Sequence, residues 1–169
     1  MTKGEGLRMT KSERLIIWTK SMAVIFKYIA TLGFIGFLPV APGTFGSLVA
    51  FALFILLKPS VFIHIILLFL VIPLGIISSH HAEILLNDKD SRHIVIDEFC
   101  GYLLSVLFIP FSIGYALIAF FLFRIFDILK PFPIRKIETV LSGGKGIMAD
   151  DIAAAIYANL CLQMWKLIS

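Results

Sequence analysis

The chain has 169 residues, 59% of them hydrophobic and only 15% charged, with a mean hydropathy of +0.98. That is more apolar surface than a soluble core of this size can hide, so it points to lipid contact and leaves an obligate oligomer of soluble helical chains as the lesser reading. The two cysteines, Cys100 and Cys161, sit in apolar stretches without partners at metal spacing, which argues against a disulfide framework or zinc site, and a net charge of +4 without a basic-aromatic groove argues against nucleic acid.

Six basic residues, Lys3, Arg8, Lys11, Arg14, Lys20 and Lys27, fall within the first 27 positions, a pattern suited to a bilayer with anionic lipids. Lys20 and Lys27 interrupt the apolar run and no small-x-small signal follows, which disfavours a cleaved signal peptide. Glu13, Lys20 and Lys27 recur every seven residues along one helical stripe, with Leu15, Ile16, Trp18, Val24 and Ile25 elsewhere around the wheel. An interfacial amphipathic helix over about 12–31 is the preferred reading, and a membrane helix over 22–40 is its rival.

Residues 44–79 form a long apolar stretch broken at Lys58-Pro59-Ser60, which predicts a helical hairpin, with Thr44 or Ser47 capping the first helix. Residues 95–129 repeat the design around Pro110-Phe111-Ser112, and a last apolar helix runs from about Ile152 to Ile168. The predicted fold is all-α: a helical membrane bundle of two hairpins plus a C-terminal helix, with an N-terminal amphipathic or membrane helix. The division is a basic segment over 1–32 and a single domain over 33–169. The outgoing arm of each hairpin is about 14 to 15 residues or roughly 21 Å, short of the about 20 residues that cross a hydrocarbon core. With both turns on one side, nearly every ionisable residue emerges on the other. Lys89, Arg92, Lys130, Arg135, Lys136 and Lys145 place that side in the cytoplasm by the positive-inside rule. Oligomeric state is not set by these features.

Five carboxylates sit where apolar helices meet the polar face: Asp97, Glu98, Asp127, Asp150 and Asp151. Acids at the edge of a membrane bundle are costly unless solvated or partnered. Each also has a bland reading. Asp150 and Asp151 suit the first turn of a helix, Asp97 and Glu98 suit loop acids paired with Arg92, and Arg124, Asp127 and Lys130 at three-residue spacing suit an ion-pair ladder. Taken together, hard oxygen ligands beside Arg and Lys also match a magnesium-assisted phosphoryl site. Pro42-Gly43-Thr44-Phe45-Gly46-Ser47 and Gly143-Gly144-Lys145-Gly146 each precede a predicted helix, where amides can receive an anion. Neither is a Walker loop or dinucleotide fingerprint, and either alone also fits a tight turn into a helix. His64 reads as packed, and His80 and His81 border the polar face.

Other phosphoryl-transfer patterns are missing. Cys100 has no arginine six residues later, no α/β pattern surrounds Asp88-Lys89-Asp90, and the spaced Asp-Gly and Ala-Arg pattern of CDP-alcohol phosphotransferases is absent. A divalent-cation carrier, or another phospholipid headgroup phosphatase or transferase, stays open as an alternative.

The ordered set PGTFGS at 42–47, IVIDEF at 94–99, FRIFDILKPFPIR at 123–135 and GGKGIMADDI at 143–152 closely resembles the phosphatidylglycerophosphatase A family, over about residues 33–160. The resemblance implies a bacterial inner-membrane enzyme, dependent on Mg²⁺, that removes the terminal phosphate of phosphatidylglycerophosphate to give phosphatidylglycerol and inorganic phosphate. It points to Asp97, Glu98, Asp127, Asp150 and Asp151 as catalytic and metal-binding acids, with Lys130 catalytic beside them. It likewise points to Thr44, Gly46, Ser47, His80 and Arg124 as contacts to the phospholipid substrate, and assigns nothing to residues 83–87.

Overall fold

The structure is a computed structural model that describes residues 10–168, with the backbone alone for 12–19, 138 and 139. Lys3 and Arg8 of the basic N-terminus therefore lie outside the described residues, as do the side chains of Glu13, Arg14, Leu15, Ile16 and Trp18. The described residues form seven α-helices and one 3-10 turn, Ile35–Phe37, with no strand among them. The helices are α1 Lys11–Ala30, α2 Pro42–Leu57, α3 Val61–Leu86, α4 Ile96–Ser105, α5 Ile113–Leu129, α6 Ile134–Val140 and α7 Gly144–Ile168.

The break between α2 and α3 forms where the sequence predicts it, but the two arms do not pair as a hairpin: α2 packs on α4, and α3 packs on α1 and α7. Lys58 closes α2 in the left-handed conformation (φ 43°) and donates its amide to the Phe54 carbonyl. Pro59 has no amide with which to continue, and Ser60 opens α3 by accepting the Ile63 amide at 3.4 Å. The start of α2 differs from expectation. Ala41 occupies the N-cap position, Pro42 the first turn, and Thr44 and Ser47 lie inside the helix. The Ser47 hydroxyl donates to the Gly43 carbonyl at 3.1 Å, a local bond that a hydroxyl makes readily within a helix.

α3 runs past residue 79 to Leu86, so the segment from His80 onward is helix before it is loop. Hydropathy drops at Ser78-Ser79-His80-His81, but Ser78, Ser79 and Ala82 are buried against neighbouring helices, and backbone pairing continues until Asn87 turns left-handed (φ 50°). At 26 residues it is the one helix among the described residues long and apolar enough to cross a membrane. α1 packs along it, with Phe26 and His81 rings 4.7 Å apart, as the N-terminal helix predicted over about 12–31.

The second hairpin is uneven. α4 has only ten residues, about 15 Å of helix. Beyond its end, Asn159 of α7 donates its side-chain amide to the Ser105 and Leu107 carbonyls at 2.9 and 2.8 Å. These bonds stand in for helical pairings that stop at Ser105. α4 lies at the centre of the molecule, against α2, α3, α5 and α7. Tyr102, Leu103, Phe123, Ala154, Ala155, Ala158 and Leu162 are sealed there, the alanines allowing α7 to approach closely. Outward, Leu56, Phe62, Phe69, Leu70 and Phe121 are each more than half exposed.

Two further differences bear on the site. α6 lies outside the predicted helices; Ile134 is buried and α6 packs on α7. α7 starts at Gly144 instead of Ile152. A side chain on Gly144 would collide with the Ile76 carbonyl of α3, so glycine is what lets the first turn of α7 lie against that helix.

Candidate active site

Three helices deliver the acids to one place. Asp97 and Glu98 stand in the first turn of α4, where the partial positive charge of the helix end faces them. Arg124 and Asp127 come from the last two turns of α5, and Lys130 is its left-handed C-cap. Asp150 and Asp151 come from the second turn of α7. The expectation that this pair opens its helix is thus corrected, and a first-turn dipole role does not account for them.

Arg124 Nη1 lies 2.6 Å from Asp127 Oδ2 and 3.8 Å from Glu98 Oε1. Lys130 Nζ lies 2.6 Å from Asp150 Oδ2, so the predicted ladder along α5 holds between Arg124 and Asp127, while Lys130 makes its close pair with α7. One carboxylate oxygen each from Asp97, Glu98 and Asp151 lies within 4.8 Å of the other two. Asp97, Asp150 and Asp151 are 9%, 7% and 3% exposed.

Five carboxylates thus share a buried site with two cations, and burial and mutual repulsion shift their titration. Burial, then repulsion from Glu98 and Asp151, pushes the Asp97 carboxyl well above the usual carboxylate range. Burial, then repulsion from Asp127 and Glu98, does the same to Asp151. Glu98 and Asp150 are also raised by burial, against the opposing pull of hydrogen bonding and of Arg124 and Lys130 respectively. Asp97 Oδ1, Glu98 Oε2, Asp150 Oδ1 and Asp151 Oδ2 are buried without a hydrogen-bond partner in the structure. Orphaned hard-oxygen donors with uncompensated negative charge fit a divalent cation of the Mg²⁺ type, which would satisfy the oxygens and offset the charge.

The glycine segments divide. The first turn of α2 abuts the site: a Cβ on Gly43 would stand 2.6 Å from Glu98 Cδ. Thr44 is half-buried in that turn. Gly46 instead passes the Val95 backbone, where a Cβ would meet the carbonyl oxygen at 2.7 Å, and the Ser47 hydroxyl is bonded within α2. His80 is exposed on α3 beside the Gly143-Gly144 turn, where a Cβ on Gly143 would meet its Nδ1 at 3.1 Å. It lines a separate hollow of about 310 Å³ with His81, Ser142 and Lys145.

A larger cleft, about 480 Å³, opens beside Asp150 and is lined in part by Glu83, Lys89, Asp90 and Ser142. Sequence reasoning assigned nothing to Glu83 and dismissed Asp88-Lys89-Asp90 for want of a surrounding motif. The available signal was the run of charge between residues 83 and 92 next to an apolar helix.

The chain matches the family model described as phosphatidylglycerophosphatase A over residues 28–166. It is 41% identical over 138 residues to a Haemophilus influenzae protein named phosphatidylglycerophosphatase A, covering 78% of this chain and 85% of that one. An Escherichia coli protein of the same name is 34% identical over 123 residues, 72% of each chain. A Bacteroides thetaiotaomicron protein with the provisional name phosphatidylinositol-3-phosphatase is 38% identical over 140 residues, 76% of this chain and 86% of that one. No solved structure matches the chain. By the extent of the family match and the identity to these relatives, the chain belongs to the phosphatidylglycerophosphatase A family and is an enzyme of the phosphatase class.

Proposed function

We propose that this enzyme hydrolyses the terminal phosphate of phosphatidylglycerophosphate with Mg²⁺, completing phosphatidylglycerol synthesis at the cytoplasmic face of the bacterial inner membrane. The observation that carries the reading is the convergence of Asp97, Glu98 and Asp151 oxygens within 4.8 Å, flanked by Arg124 and Lys130. Relatives named for this activity support the substrate. The exposed apolar belt and the 26-residue α3 support a membrane-embedded bundle, with the acids at helix ends near the headgroup level.

Mg²⁺ held by Asp97, Glu98 and Asp151 would supply charge to the phosphomonoester and lower the pKa of the attacking water. Arg124 and Lys130 offset charge on the phosphoryl oxygens as the bond to the alcohol breaks. Asp127 holds Arg124 in place through its 2.6 Å pair. A carboxylate of the cluster accepts the proton from water; the position of His80 beside the Gly143-Gly144 turn favours a carboxylate over histidine for that step. The leaving alkoxide takes that proton back from the carboxylate and stays as an alcohol on the lipid, whose tails remain in the bilayer.

The test is phosphate release from phosphatidylglycerophosphate by the detergent-purified protein, with Mg²⁺ or with excess EDTA, beside a folded Asp127→Asn variant. Release that needs Mg²⁺ and falls by orders of magnitude in the variant supports the reading. No release from folded, metal-supplied protein across lipid mixtures overturns it. The Bacteroides relative favours a second reading, the same chemistry on a phosphoinositide headgroup, so phosphatidylinositol 3-phosphate belongs in the same assay.

A further inference from the structure

The cleft beside Asp150 carries a second set of polar groups outside the acid cluster. One wall is the end of α3 and the turn after it, contributing Glu83, Lys89 and Asp90; the other is made by Leu141, Ser142, Gly143, Gly146 and Ile147 leading into α7. Asp150 belongs to both places. Its Oδ2 pairs with Lys130 in the acid cluster, while it lines the cleft and its Oδ1 is buried and unpartnered. The cleft therefore begins where the phosphomonoester site ends. At about 480 Å³ it falls in the size range of small-ligand sites.

We propose that this cleft is the headgroup subsite, which holds the glycerol and diester phosphate that connect the reacting phosphate to the lipid. The inference rests on the function proposed above and deepens it. Between its two phosphates the substrate carries one free hydroxyl, and beyond it an anionic diester. Glu83 accepts the hydroxyl hydrogen, and the Lys89 ammonium faces the diester oxygens. With Asp150 paired to Lys130, Lys89 supplies the cation and Glu83 the acceptor for a group with one anion and one donor. A lipid whose phosphomonoester joins the diacylglycerol directly offers neither partner, so these residues set preference among headgroups without touching the reacting bond.

The test compares wild type with Lys89→Ala and Glu83→Ala in mixed micelles. It measures kcat and KM for phosphatidylglycerophosphate, and competitive inhibition by glycerophosphoglycerol, which occupies only the headgroup subsite, and by inorganic phosphate, which occupies only the reacting one. Each variant should raise KM and the inhibition constant of glycerophosphoglycerol by about tenfold, the scale of one lost charge-assisted hydrogen bond. Inhibition by inorganic phosphate should stay unchanged. Lys145→Ala, which removes an equal charge outside the cleft, serves as the control and should move neither constant. Wild-type constants in both cleft variants, or loss of inorganic phosphate inhibition in step with glycerophosphoglycerol, overturns the subsite while leaving the phosphatase reading intact. Failure of the wild type to release phosphate from this lipid overturns both.

Discussion

Lys130 Nζ stands 2.6 Å from Asp150 Oδ2, tying the C-cap of α5 to the second turn of α7 across the mouth of the acid cluster. The same residue holds a left-handed backbone at φ 43°. The two roles separate by substitution. Lys130→Gly keeps the backbone conformation at no steric cost while removing the side chain and its ammonium, so kcat should fall about 100-fold, the scale of losing one charged stabiliser of the transition state. Lys130→Arg should retain much more activity. Steady-state kinetics with circular dichroism melts check both, and full activity in the glycine variant would remove Lys130 from the mechanism.

Gly43 and Gly144 answer differently to the same change. A methyl on Gly43 meets only the end of the flexible Glu98 side chain, so Gly43→Ala should displace that carboxylate and lower turnover by about tenfold or more while the fold persists. On Gly144 it meets the backbone carbonyl of Ile76. Gly144→Ala should therefore destabilise the protein by about 1–3 kcal/mol, as overpacking against an unyielding neighbour does. Parallel activity and melting measurements distinguish the two outcomes.

Asp151 is held above the usual carboxylate range by burial first and by neighbouring acids second. A raised folded pKa means that the folded state binds the extra proton, so without metal the charged site costs stability at neutral pH, and that cost is relieved as pH falls through the folded pKa. The EDTA-treated wild type should melt higher at pH 6 than at pH 8. Asp151→Asn should melt about 2–4 °C above wild type at pH 8 per kcal/mol of relieved repulsion, and should show a flatter pH dependence. With Mg²⁺ at about one hundred times its dissociation constant, the wild type should gain about 2.7 kcal/mol, a gain largely lost in the variant along with turnover. Thermal melts in detergent at two pH values, with and without metal, provide the check.

Asn159 binds the Ser105 and Leu107 carbonyls with one amide group. Asn159→Leu leaves two carbonyls without that donor beside a helix that has already ended, which should cost about 2–4 kcal/mol. Because the contact lies at the far end of α4 from Asp97, kcat of the folded fraction should stay near wild type. A large kcat loss without a stability loss would place Asn159 in the chemistry instead.

Much of this architecture was legible from residue order. Lys58-Pro59-Ser60 announced the break between α2 and α3 because proline removes an amide and serine supplies a cap, both local effects. The five acids stood out because charge at the edge of an apolar helix demands a partner. Less was legible where hydropathy and backbone pairing part company. α3 continues through Ser78-Ser79-His80-His81 because neighbouring helices bury its small polar residues, and α7 starts eight residues early, where Gly144 lets its first turn lie against α3. α6 was hidden by flanking prolines, which mark helix starts as readily as loops.

The sequence by itself determined the helical class and the apolar exterior, because composition and local periodicity depend only on neighbouring positions, and it singled out five acids and two cations as candidates. Tertiary structure alone decided which acid meets which cation, that Gly43 abuts Glu98, and that Glu83, Lys89 and Asp90 share a cleft with Asp150. Those pairings join residues up to 67 positions apart, from Glu83 to Asp150, and only the packing of α3, α5 and α7 against one another converts such separations into contact.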